Sequence, residues 1–122
     1  MENVKREHTT HLSGAVVVSK TSARIEFRGR LDSLNAAVVE LQIKAERLGH
    51  KDLVAELEEV RTKVYELLSC EVTGKPCEEL SLWGLDSDEI RERSHHPAKY
   101  FSLGHIRPHH TMGETAAALN AL

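Results

Sequence analysis

A chain of 122 residues with 16 Lys+Arg against 19 Asp+Glu, a net charge of -3, has the length of one domain and room for a modest core. That balance argues against general affinity for nucleic acid or for an anionic membrane. No apolar run approaches the roughly 20 residues of a spanning helix, and Met1 to Glu7 lack the apolar segment of a signal peptide, so the expected location is the cytoplasm.

Residues 1 to 20 read as an N-terminal arm, polar at first and then β-branched at Ala15-Val16-Val17-Val18, which fits a brief strand or an extended segment. From about Ser22 the period becomes helical. Phe27, Leu31, Leu34, Val38, Leu41, Ala45 and Leu48 follow a 4-3-4-3-4-3 spacing that puts them on one stripe of a helix roughly 40 Å long, with Gly49 as its stop. A second stripe, Leu53, Leu57, Val60, Val64 and Leu67, follows so short a turn that the two helices are expected to be antiparallel neighbours. Thr73-Gly74-Lys75-Pro76 ends the pair. Cys70 and Cys77 fit free thiols in a reducing compartment, and their spacing is wrong for a zinc knuckle.

Asp86 with Glu89 three residues on predicts a short helix over about 87 to 94, closed by Pro97. Thr111-Met112-Gly113-Glu114 repeats the capping-box pattern ahead of a final helix through Ala116-Ala117-Ala118-Leu119. That helix reaches Leu122 without glycine, proline or cap, so the sequence is expected to be incomplete or completed by a partner. The expected fold class is all-α, a single antiparallel helix-bundle domain over 1–122 with one irregular loop at 95–110, of a length that is usually functional or disordered.

Three constellations can carry chemistry. Lys20, Arg24 and Arg28 recur at four-residue spacing with Arg30 nearby, in the opening turns of the long helix, where the helix dipole disfavours cations by a few tenths of a kcal/mol each. A bound polyphosphate would reverse that sign; a solvated face with Glu26 as internal partner explains the same spacing. Asp32 and Asn35 flank the apolar stripe and point toward a helix seam, although Arg28 and Asp32 could equally form a helical ion pair.

The third constellation is the loop itself, which holds His95, His96, His105, His109 and His110 with Pro97, Pro108 and the adjacent aromatics Tyr100 and Phe101. Neighbouring histidines cannot easily face one ion, and no H-E-x-x-H or C-x-x-C pattern supports a metal site. Adjacent aromatics between prolines suit a wall over something flat.

The stretch "VSKTSARIEFRGRLDSLN", Val18 to Asn35, resembles the motif V-S-K-x-x-x-R-(I/V)-E-x-x-G-x-x-D-x-L-N of ATP:corrinoid adenosyltransferases, matching at Val18, Ser19, Lys20, Arg24, Ile25, Glu26, Gly29, Asp32, Leu34 and Asn35. The flanking "THLSGAVVVSK" and the tail "RSHHPAKYFSLGHIRPHHTMGETAAALNAL" resemble the ethanolamine-utilization branch of that family.

The resemblance implies a ferritin-like bundle of four to five helices, assembled as a homo-oligomer, trimer favoured over dimer. ATP with Mg²⁺ and a corrinoid (cobalamin) are the implied substrates, and transfer of the 5'-deoxyadenosyl group to cob(I)alamin is the implied reaction. It implies Phe101 as the ring that fills the lower face of the corrinoid, with Tyr100 and His105 in the same wall. Asp32 would pair with an arginine near the corrinoid, Lys20, Arg24, Glu26 and Arg28 would serve the nucleotide side, and Asn35 would be a further cofactor-binding residue. No T-K-x-G-D-x-G-x-T phosphate loop precedes Val18, and the family's arginine-rich helix is expected just beyond Leu122. A non-catalytic corrinoid- or nucleotide-binding bundle is the alternative, and a metal-responsive helical protein using the histidine loop is a weaker third.

Overall fold

The computed structural model describes residues 9–13, 16–19, 22–104 and 106–122. A β-hairpin comes first, β1 (Thr9–Ser13) antiparallel to β2 (Val16–Ser19), with a register irregularity between His11 and Ser13. Among the described residues five α-helices follow: α1 (Ala23–Arg47), α2 (Lys51–Thr73), α3 (Ser87–His95), α4 (Pro97–Phe101) and α5 (Glu114–Ala121), with a 3₁₀ turn at His110–Met112. The fold is an all-α bundle with a small hairpin at its head. None of the described helices is long and apolar enough to cross a membrane.

Local chemistry sets the helix ends. Ser22 is extended and its Oγ accepts from the N–H of Ile25 at 3.4 Å, opening α1. At the other end Gly49 takes φ 83, its N–H donates to Glu46 and that of His50 to Ala45. This paired closure, with glycine in the left-handed position, turns the chain straight into α2. Gly74, at φ 71, ends α2 with a single bond from its N–H to the carbonyl of Cys70.

The interior is the seam of the two long helices. Val38, Leu41, Ala45, Leu57 and Val64 are buried, with Leu34, Leu53, Val60 and Ala118 packed around Val38, Leu41 and Leu57. Both stripes therefore face each other at their middles, whereas Phe27 and Leu48, the ends of the α1 stripe, are about half exposed. Gln42 is buried beside the stripe because its amide donates to the Val54 carbonyl at 3.1 Å and to Glu58 Oε2 at 2.9 Å. Helix α5 starts beside the end of α1, where Arg47 donates to Glu114 at 2.9 Å. Its last residues share a cleft with Ser33, Leu34 and Ala37, so it runs antiparallel to α1.

Two local expectations are corrected. The stretch 95–110 is not irregular throughout: α3 does end ahead of Pro97, as expected, but Pro97 also opens α4, where its missing N–H is no loss, so the stretch is helical at His95 and again at Pro97–Phe101. Thr111 is not the N-cap of the last helix. His109 caps the 3₁₀ turn by accepting from the Thr111 N–H, Gly113 at φ 94 breaks the chain direction, and Glu114 is committed to Arg47. The short helix expected over about 87 to 94 is α3, with Asp86 accepting from the Glu89 N–H at 2.8 Å as its cap.

One docking contact had no signal in the sequence. Leu82 and Leu85 exchange two backbone bonds of 2.9 Å around Trp83 and Gly84, both at positive φ. A left-handed tryptophan costs about 1–2 kcal/mol. It is offset on α2, where the Trp83 N–H donates to Glu59 at 2.8 Å and its Nε1 to the Glu56 carbonyl at 3.1 Å. Trp83→Phe keeps the ring and loses the second bond, so it should lower stability by about 1 kcal/mol, read as a shift in urea midpoint without a change in slope.

Candidate functional site

The motif stretch runs from β2 into the first three turns of α1, and its arginines meet an acid that the motif does not contain. Arg24 donates Nε to one carboxylate oxygen of Glu71 and Nη2 to the Glu71 carbonyl at 2.9 Å; Arg28 donates Nε to the other carboxylate oxygen. Glu71 lies in the last turns of α2, where backbone carbonyls lack helical partners and the helix dipole is negative. Two cations that are unfavourable at the start of α1 are thus stabilised by the end of α2. The antiparallel pairing puts those two ends side by side.

Glu71 and Arg28 are largely buried, at 13% and 16% side-chain exposure, whereas Arg24 is 50% exposed. Burial on its own would push the Glu71 carboxyl up, but the hydrogen bonds and charges of Arg28 and Arg24 outweigh it and hold the group below the usual carboxylate range. Arg28 Nη2 is buried without a hydrogen-bond acceptor among the described residues. Such an orphan donor costs about 1–3 kcal/mol, so this cluster holds one donor more than its surroundings satisfy.

The other candidates fall in separate places. Glu26 accepts from Arg30 at 3.0 Å in an exposed i,i+4 pair, and both line an open cleft of about 640 Å³ with Gly29, Ser33 and Leu34. Asp32 is exposed and pairs with no described residue; Arg28 turns to Glu71 instead, which decides against the helical Arg28–Asp32 pair. Asn35 does face the seam. Its Oδ1 accepts from Arg61 Nε at 3.1 Å and its Nδ2 donates to the Tyr65 hydroxyl at 3.3 Å, in a network that continues through Arg61 to Glu58. Lys20 and His105 lie outside the described residues.

Phe101 ends α4 with about half its surface exposed, followed by Ser102 at φ 55 and by exposed Leu103 and Ile106. Tyr100 anchors this corner. Its hydroxyl donates to Glu92 at 3.3 Å, and its ring lies between Arg93 and Lys99, whose charges sit 5.5 and 5.2 Å from its centroid. No hydrogen bond or ion pair among the described residues joins this corner to the arginine cluster. A cleft of about 870 Å³ lies at the opposite end of α1 between the Leu48–Leu53 turn and Met112–Leu119, and no motif residue lines it.

Among the described residues no three His, Cys, Asp or Glu side chains converge on a common ion position. Cys70 and Cys77 are free, and a hydrogen bond with Cys70 together with burial pushes the Cys77 thiol up, away from reactive thiolate character.

The family model described as cobalamin adenosyltransferase matches residues 3–119. The chain belongs to that family. It is 32% identical over 120 residues to the corrinoid adenosyltransferase EutT of Salmonella typhimurium and 30% identical over 118 residues to that of Escherichia coli K12. These alignments cover 98% and 97% of this chain and 43% of each relative, so the chain spans less than half the length of the curated relatives it matches. No solved structure shows a significant match.

Within this adenosyltransferase fold, two carboxylates predict the pH response. Glu58, like Glu71, is held below the ordinary range, chiefly by hydrogen bonds from Gln42 and Arg61. The unfolded chain therefore takes up these protons first as pH falls. The stability the two groups contribute is complete above the unfolded value, about 4.3, and is lost as pH drops through the lower folded values. Thermal midpoints measured from about pH 6 down to about pH 3 should fall more steeply for the native chain than for Glu58→Gln. Parallel curves would show that the seam network carries no such linkage.

Proposed function

We propose that this chain carries out, or forms the central part of, corrinoid adenosylation: Co(I) of a reduced cobalamin attacks the ribose C5' of ATP, the C5'–O bond breaks, and inorganic tripolyphosphate leaves with the electron pair. The cobalt of the substrate does the covalent work, so the protein's share is positioning and electrostatics. The observation that carries the reading is the arginine cluster of the matched motif: two guanidiniums against one carboxylate leave a positive charge, with Arg24 accessible, beside the start of α1. Phosphate oxygens are the acceptors that such donors suit best.

In this reading Lys20 joins Arg24 and Arg28 on the phosphates, with Mg²⁺ accompanying ATP, while Glu26 serves the nucleotide side and Asn35 is a further cofactor-binding residue. Phe101, backed by Tyr100 and His105, covers the lower face of the corrinoid, where an apolar ring excludes water and cannot itself ligate cobalt. Asp32, exposed and without a partner among the described residues, is the residue for an arginine near the corrinoid. The assembly is a homo-oligomer, a trimer before a dimer, working in the cytoplasm in ethanolamine utilization.

The test is spectroscopic. ATP, Mg²⁺ and cob(II)alamin under reducing conditions should give the absorption band of four-coordinate cob(II)alamin and then adenosylcobalamin. A band or tight corrinoid binding without product would make the chain a binding module; no effect on the corrinoid at all would end the reading.

A further inference from the structure

Glu71 belongs to none of the matched motif positions, yet it is the only described side chain that ion-pairs with Arg24 and Arg28. Its geometry is that of a bracket. One carboxylate oxygen takes the Nε of each arginine, and its own backbone carbonyl takes Arg24 Nη2. Every bond Glu71 makes to Arg28, and its carboxylate bond to Arg24, thus uses the inner Nε edge. Among the described residues Arg24 Nη1 makes no hydrogen bond, and the buried Arg28 Nη2 has no acceptor.

We propose that Glu71 is the positioning residue of the polyphosphate subsite, fixing both guanidiniums by their Nε edges so that the remaining N–H groups are ordered before a triphosphate arrives. The inference rests on the adenosyltransferase reading for the identity of the ligand and goes beyond it in assigning a residue on α2. Long side chains lose rotamer freedom when they bind, and a bracket that has already ordered them removes that loss from the binding step. The opposing effect is repulsion between Glu71 and phosphate. Two cations in direct contact with the carboxylate neutralise it, and a net positive charge still faces the ligand, so preorganisation prevails.

The sign can be measured. Titration calorimetry with ATP and with inorganic tripolyphosphate as separate probes should show both binding the native chain, and Glu71→Ala weakening both by about tenfold. The KM for ATP should rise in parallel, with kcat at saturating ATP and the KM for the corrinoid changed by less than about twofold. Glu71→Gln keeps the volume and one acceptor oxygen, enough for one arginine, and should fall between the two; it also serves if the alanine variant does not fold.

A lower melting temperature with unchanged or tighter binding of both probes would make Glu71 a structural counter-ion and overturn the inference while leaving the adenosyltransferase reading intact. Tripolyphosphate binding that depends on Glu71 in a chain that makes no adenosylcobalamin would do the reverse. Absence of binding by either probe to the native chain would remove the subsite.

Discussion

Replacing Phe101 by alanine should slow adenosylcobalamin formation by about a hundredfold while changing the affinity for cob(II)alamin by less than about threefold. The asymmetry follows from what the ring can do. A corrinoid offers a wide contact surface, so deleting one side chain removes a small part of its binding. The lower axial position of cobalt is a single coordination site, and one water there restores the five-coordinate state that resists reduction. In the proposed role Phe101 would exclude that water, and its position leaves it free to do so: α4 ends at it, Ser102 turns the chain at φ 55, and the ring remains 53% exposed.

The neighbouring Tyr100 supplies the stiffness, tied to Glu92 and flanked by Arg93 and Lys99. In the Phe101→Ala variant the four-coordinate cob(II)alamin band should disappear along with the rate. Equal losses in binding and in rate would show that the ring is only part of the pocket wall. Phe101→Trp, apolar and larger, should retain part of the band, which a role in folding alone would not produce.

The sequence showed the bundle where physical chemistry is local. The alternating three- and four-residue spacing of Leu34, Val38, Leu41 and Ala45 answers to that of Leu53, Leu57, Val60 and Val64, and a glycine follows each helix. Such signals need only near neighbours. Thr111 misled because it is compatible with two local structures, and the choice fell to Gly113 and to the distant Arg47, which takes Glu114 away from a capping role.

Glu71 is the instructive omission. The α2 stripe Leu57, Val60, Val64 and Leu67 continues, at the same spacing, to position 71, so the sequence places an acid where the pattern calls for an apolar residue. A charge at a seam position signals a buried partner on the facing helix, and the antiparallel pairing already expected names Arg24 and Arg28 as that partner. The Trp83 contact had no comparable signal, because it depends on a backbone carbonyl of Glu56 that every residue possesses.

Leu41→Ala should be the most destabilising single truncation of those on the α1 stripe, costing about 2–5 kcal/mol in urea unfolding. Leu41 is 2% exposed and belongs, with Val38 and Leu57, to the small cluster on which Ala118 of α5 also rests. A cavity there loosens both the α1–α2 seam and the seat of α5. The ion pair that otherwise ties α5 down, Arg47 with Glu114, is exposed on both sides and worth at most about 1 kcal/mol. Against a total stability of about 5–15 kcal/mol for a domain of this size, that loss brings the chain near its unfolding threshold at moderate temperature.

Phe27→Ala is the control, because Phe27 occupies the same stripe with a larger side chain and would cost more if stripe membership alone decided. At 42% exposure, against 2% for Leu41, it is far less enclosed and leaves no closed cavity when truncated, so its midpoint should move by well under half as much. Equal shifts for the two variants would mean that the weight of the core lies toward the Arg24 end of the helix pair. Glu71 would then close a hydrophobic interior there instead of bracketing an accessible cationic site.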